Sequence, residues 1–292
     1  MRYLTPLTKS RLISCALIWI GVFLIMAIAL GVIMPLIQSL STVNRNSGLW
    51  IAALQNILLF IAPTLIAVRA INKHPVNALE LNHSPEWRQI FGIIVAYIVG
   101  LPFLNQIVFW NANISLPESM ASFEAYAKGM EQQAQQITSV LLDTTSFWGM
   151  LVGVLVIGIL TGVGEEIVFR GLIQRGFEMI LKKKWTAIWI TALIFSAVHF
   201  QFYGFVPRAL LGAFYGYLLV WTRNLWIPII AHSINNSIVV VSGWLVRCNY
   251  ISNFNPEQIG VSDKGISFVF IISFILLIFV LYKIRDEFLI QK

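Results

Sequence analysis

The sequence predicts an all-α polytopic membrane bundle of about eight transmembrane helices with both termini cytoplasmic. Three observations lead there. The 292 residues are 58% hydrophobic and only 11% charged, with a mean hydropathy of +0.79, values outside the range of soluble domains. Apolar runs near 20 residues recur along the chain, about the length a ~30 Å hydrocarbon core requires. Lysine and arginine gather on alternate connections, as they do on cytoplasmic loops.

The expected spans are 12–38, 49–68, 90–110, 146–168, 185–202, 208–222, 225–246 and 265–283. The sixth is the shortest, and the fourth can continue past its charged residues. The first follows a basic start but is too long for a signal peptide and ends in no A-x-A-like site, so it reads as a retained helix. LISC, Leu12 to Cys15, has its apolar region after the cysteine instead of before it, which argues against lipidation. Cys15 in a span and Cys248 in a loop are not expected to pair. Between spans, Asn111 to Thr145 is polar, contains EQQAQQ, and is expected outside as a partly helical connector; its Asn113-Ile114-Ser115 matches a glycosylation sequon by pattern. The connection 73–88 holds Pro75 and Pro85. With short connections and no internal repeat, residues 1–292 are read as one domain.

Orientation follows from the basic residues. With the N-terminus inside, fifteen of the 20 fall on cytoplasmic segments, and Arg45, Lys128, Arg208, Arg247 and Lys264 are left outside. The net charge of +7 is then explained by contact with anionic headgroups of the bilayer, with no nucleic-acid partner needed. Trp148, Trp185, Trp221, Trp226 and Trp244 fall near span borders, where interfacial anchoring is the default.

Ionisable residues at membrane depth cost about 3 kcal/mol each and usually face a cavity or a partner. Here they concentrate in one half of the chain: Glu165, Glu166 and Arg170 in GEEIVFRG, His199 in FSAVHF, and His232, Asn235 and Asn236 in AHSINNS. Glu166 and Arg170, four apart, share a helix face and can pair. Glu165, about 100° round the helix, is free to point elsewhere. Glu165 and His199 stand 17 residues either side of Lys182, about 25 Å along antiparallel arms, so they can meet if the fourth helix continues through Arg170 and Arg175, whose charges would line a cavity open to the cytoplasm. His232 lies only roughly 12 Å along its own span, leaving a gap to close by tilt. Gly212 and Gly216 form GxxxG, expected to be a close-packing face.

An unpaired glutamate with two histidines and an asparagine suits hydrolysis without a covalent intermediate. Glu165 and His199 would deprotonate a water, and His232 and Asn236 would donate to the oxyanion. The same Glu165, His199 and His232 are also a familiar zinc set; HExxH is absent, which favours the metal-free version, with no cofactor.

EEIVFR fits EExxxR, FSAVH fits FxxxH and HSINN fits HxxxN, in that order. Over a catalytic-like core of residues 147–244 the chain resembles the CAAX protease and bacteriocin-processing (CPBP, or Abi) family of intramembrane glutamic endopeptidases. The resemblance implies that Glu165 and His199 activate water, that His232 and Asn236 form the oxyanion hole, and that Glu166 and Arg170 support them. It implies an endopeptidase cutting a peptide or a lipidated, CAAX-like protein near the cytoplasmic leaflet, and a bacterial inner membrane. Because the family also contains adaptors and bacteriocin self-immunity proteins, a non-catalytic binding role for the same cavity is the alternative expectation.

Overall fold

The structure is a computed structural model that describes residues 9–40, 44–251 and 258–290. Arg2 and Lys292, two of the basic residues counted for orientation, lie outside the described residues. No strand is found among those described. The helices are α1 (Lys9–Leu40), α2 (Arg45–Ile71), α3 (Trp87–Ala112), α4 (Ala121–Leu141), α5 (Phe147–Leu181), α6 (Lys184–Ala197), α7 (Phe205–Thr222), α8 (Trp226–Arg247) and α9 (Phe268–Ile290).

Seven of these contain segments long and apolar enough to cross a membrane; α6, at 14 residues, is too short by that measure. The eight expected segments are therefore all present, but the short one is the fifth and not the sixth, because the chain leaves the helix at Val198. The fourth runs 35 residues to Leu181 and stays helical past its charges by way of two π-helical stretches, Val154–Leu160 and Phe169–Gln174. Such stretches add a residue to a turn and cluster at functional sites; these two bracket Glu165 and Glu166.

Apolar side chains gain little by leaving lipid for one another, so close backbone approach and buried polar contacts hold the bundle. On α5, Gly158 and Gly162 meet Ser237 and Ser233 of α8, and a methyl at Gly162 would lie 3.0 Å from the Ser233 backbone nitrogen. Gly164 admits the Asn56 side chain of α2, which also donates to Thr161 Oγ1 at 3.2 Å. Gly212 and Gly216 of α7 pack on Ala192, Phe195 and Ile188 of α6, the packing face the sequence suggests. Trp221 is buried against Ile227 and Leu218, so it does not join the exposed Trp148 and Trp185 as a border residue.

The 113–146 connection is dominated by α4, which is more than a spacer. Arg45 donates to the carbonyls of Leu141 and Gly149, tying its C-terminal end to α2 and α5. Its N-terminal half rests on the turn between α6 and α7, where Tyr203 donates to Glu124 at 3.4 Å and Gln201 to Glu131 at 3.3 Å. At the other end of the bundle the 78–83 segment receives the α7–α8 turn: Leu225 N–H donates to Glu80 O, Asn224 to His83 O and Trp226 to Leu81 O. Glu80 also pairs with Arg175 at 3.0 Å.

Candidate active site

Glu165 and Glu166 follow one another on α5 and, as the helical offset requires, face different neighbours. Glu166 is fully enclosed. One of its oxygens accepts from His232 Nδ1 at 2.8 Å and the other sits 3.1 Å from Arg170 Nε. Arg170 is equally enclosed; it donates to the Gly212 carbonyl at 2.7 Å and lies over the rings of Phe195 and Tyr215. A guanidinium that touches a carboxylate, a carbonyl and two ring faces is the kind of buried charge that persists in a low dielectric.

Glu165 Oε2 is 3.9 Å from Nε2 of His199 and 3.9 Å from Nε2 of His232. Both imidazoles are oriented from behind. His199 Nδ1 donates to the Phe195 carbonyl at 2.7 Å, and a carbonyl can only accept. His232 Nδ1 donates to Glu166, while its ring stacks on Tyr215 at 4.9 Å and meets Phe195 edge-on at 5.8 Å. With each Nδ1 the donor, each ring in its neutral form turns a bare Nε2 toward Glu165. Three lone-pair bearers thus converge on one small volume. That arrangement calls for a group that donates twice, such as a water, or for a cation.

His232 is reached although residue counting left a gap. The α7–α8 turn is drawn toward the site through Glu80, which ties it to Arg175, six residues short of the end of α5. Turns at that end of the bundle are therefore not level with Lys182. His199 is not on a helix: it lies in the turn beyond α6, which ends at Ala197. Arg170 and Arg175 line no open cavity. The first is enclosed as described, and the second donates to the carbonyls of Ala78 and Leu79.

Asn236, one turn beyond His232, donates to the Ile157 carbonyl at 3.3 Å and accepts from Asn235 at 3.3 Å. Ile157 is eight residues before Glu165, so Asn236 is fastened to α5 about two turns from the glutamate. Among the described residues no three His, Cys, Asp or Glu side chains gather closely enough to be a ready metal centre. Glu165, His199 and His232 remain the set whose donor chemistry fits one. Their 3.9 Å separations exceed the roughly 3.3 Å that tetrahedral bonds of ~2.0–2.1 Å imply.

Three neighbours escape a sequence reading. Tyr215 and Phe195 look like ordinary apolar helix residues, yet they hold the His232 ring. Arg208, expected at the outer end of the sixth span, stands on the first turn of α7, donates to Gln201 Oε1 at 2.7 Å and lies within electrostatic reach of Glu165, His199 and Glu131. The only signal was its place inside the apolar run FVPRALLG.

The fold and site define an integral membrane helical bundle in which a glutamate and two histidines converge. Residues 147–238 match the family described as type II CAAX prenyl endopeptidase Rce1-like. The chain is 28% identical over 213 residues to the Bacillus subtilis (strain 168) protein named "Putative membrane peptidase YdiL", covering 72% of this chain and 78% of that one. It is 29% identical over 84 residues to "Uncharacterized protein YpbD" of the same organism, covering 27% and 40%. No solved structure matches the chain.

Proposed function

We propose that the protein is an intramembrane endopeptidase that hydrolyses a peptide bond in a peptide or a lipidated, CAAX-like protein. The observation that supports this reading is the convergence of Glu165 Oε2 with two bare Nε2 atoms, each 3.9 Å away. A water between them donates to the carboxylate and to one imidazole, which aligns its lone pair for attack and provides two acceptors for its proton. The attacked carbonyl becomes an oxyanion, and on its collapse the C–N bond breaks as the proton taken from the water passes to the leaving amine. His232, once protonated at Nε2 and held by Glu166, donates to it, and Asn236 keeps one N–H beyond its bond to Ile157. Glu166 and Arg170 act through His232, fixing its ring. In a metal-assisted version Glu165, His199 and His232 would be the ligands, and the ion would activate the water.

The test compares wild type with Glu165→Gln in detergent, using quenched-fluorescent peptides with and without a lipidated cysteine. Removal of a general base is expected to slow cleavage by about 10²–10⁴-fold at unchanged thermal stability. Cleavage that survives chelation supports the metal-free chemistry, and cleavage lost on chelation and restored by zinc places a metal on the three residues. Equal cleavage by both proteins would sink the proposal, and folded wild type that binds a peptide without cutting it would favour the adaptor role.

A further inference from the structure

Exposure across the site rises in one direction. Glu166, Arg170 and Gln174 are wholly enclosed, His232 is 5% exposed, and the side chains of Glu165 and His199 reach 14% and 28%. Val198 and Phe200, flanking His199, are exposed. The gradient ends at the 198–201 turn, where α4 is seated. The opposite direction is closed. Arg170 and Gln174 bond the carbonyls of Gly212 and Gly216, Tyr215 and Leu218 are buried beside them, and Arg175 is locked onto the 78–80 backbone.

The open side is lined by polar groups. Gln201 bonds both Glu131 and Arg208, and Arg208 Nη1 and Glu131 Oε2 are enclosed without a hydrogen-bond partner. One donor and one acceptor on residues joined through Gln201 suit the carbonyl and N–H of a peptide backbone, whereas a bare hydrocarbon chain would leave both unsatisfied.

Charge identifies the face. The ends and loops at the α4 face hold five of the 20 basic residues, and four of these are already engaged: Arg45 with carbonyls, Lys128 with Glu124, Arg208 with Gln201 and Arg247 with Asp143. The positive-inside rule puts such a face outside.

We propose that the site is approached from the α4 face, that this face is extracytoplasmic, and that the substrate is a polypeptide presented from outside the cytoplasm, its backbone held by Arg208 and Glu131 on its way to Glu165. This reverses the cytoplasmic-leaflet expectation. The substrate part rests on the peptidase reading; the side of approach does not.

The experiment uses full-length protein with Cys15→Ala and Cys248→Ala, carrying His199→Cys or Lys183→Cys, in right-side-out and inside-out vesicles treated with a membrane-impermeant maleimide. His199→Cys is expected to be labelled in right-side-out vesicles and Lys183→Cys only in inside-out ones; Val198→Cys serves if His199→Cys does not fold. Labelling of position 199 from the Lys183 side, or from neither side before detergent, overturns the proposal. For the backbone contact, Arg208→Gln should raise KM for a quenched peptide about tenfold, the size of one charge-assisted hydrogen bond, with kcat nearly unchanged and recovery in Arg208→Lys. Unchanged KM removes that role. Because labelling needs no hydrolysis, correctly labelled protein that cuts no peptide upholds the side of approach and removes only the substrate.

Discussion

More than half of the apolar window of α7 is enclosed by protein, 56%, against 11% for α1 and for α9. The rim helices are apolar all round, and lipid covers what protein does not. Their sequence needs only length and hydropathy, so many substitutions satisfy it. The central stretch from α5 to α8 carries an enclosed ion pair, two oriented imidazoles and glycines pressed against neighbouring serines, each depending on a particular partner. In a bilayer, where apolar contact gives no drive of its own, the structure is specified where the polar and small residues are.

The comparison breaks most sharply at Arg170. Arg170→Met removes the cation from beside a fully enclosed Glu166 and is expected to cost about 3–5 kcal/mol, read as a lowered unfolding temperature in detergent. It should also disorder His232 and slow cleavage. Adding Glu166→Gln removes the stranded charge and should return part of the stability without the activity. On the rim, Ile275→Ala, at a 58% exposed position of α9, should change stability by less than about 0.5 kcal/mol. A large loss there, or none at Arg170, would contradict the division between centre and rim.

Glycines extend the test at smaller amplitude. Gly162→Ala places a methyl 2.6 Å from Ser233 Oγ and 3.0 Å from its backbone nitrogen. The hydroxyl can turn away but the backbone cannot, so α5 and α8 must part, at a cost of about 1–3 kcal/mol. Gly21→Ala in α1 meets nothing within 4 Å and should be neutral or stabilising by up to about 1 kcal/mol, from helix propensity alone. Equal responses at the two positions would mean that α5 and α8 are not in close contact.

The same division explains what the sequence could reveal. The rim spans were legible because hydropathy over about 20 residues is all they require, and the Glu166–Arg170 pair was legible because both partners share one helix. Contacts between helices were not. That Glu166 would bond His232 as well depends on a tilt and on a turn held by Glu80, neither of which leaves a local trace. His199 reads as helical because VHFQF continues an apolar run, yet Phe200 adopts a left-handed backbone at φ 55° and the helix stops before it. Arg208 reads only as a cation at the border of a span, because a charge among apolar residues carries no mark of the neighbour it will meet. Asn236 falls at the expected spacing from His232, but spacing alone could not show its amide turned to Ile157.

A smaller effect than at Arg170 or Gly162 is expected where α9 makes a polar contact with α3. Pro102 interrupts α3: it has no N–H, and its ring crowds the carbonyl one turn earlier. The neighbouring rung, from Phe103 N–H to Val99 C=O, is occupied by a hydroxyl from α9. Ser273 Oγ accepts from Phe103 N at 3.0 Å and donates to Val99 O at 2.6 Å, satisfying in lipid two backbone groups that have no water to turn to. Ser273→Ala should therefore destabilise by about 1 kcal/mol, within the range of interhelical hydrogen bonds in membranes, and speed amide exchange at Phe103. Ser273→Thr, which keeps the hydroxyl, should protect that amide. Pro102→Ala lets α3 close its own rung, so Ser273→Ala should cost less in that background; additive effects of the two changes would show that the hydroxyl and the proline are not coupled.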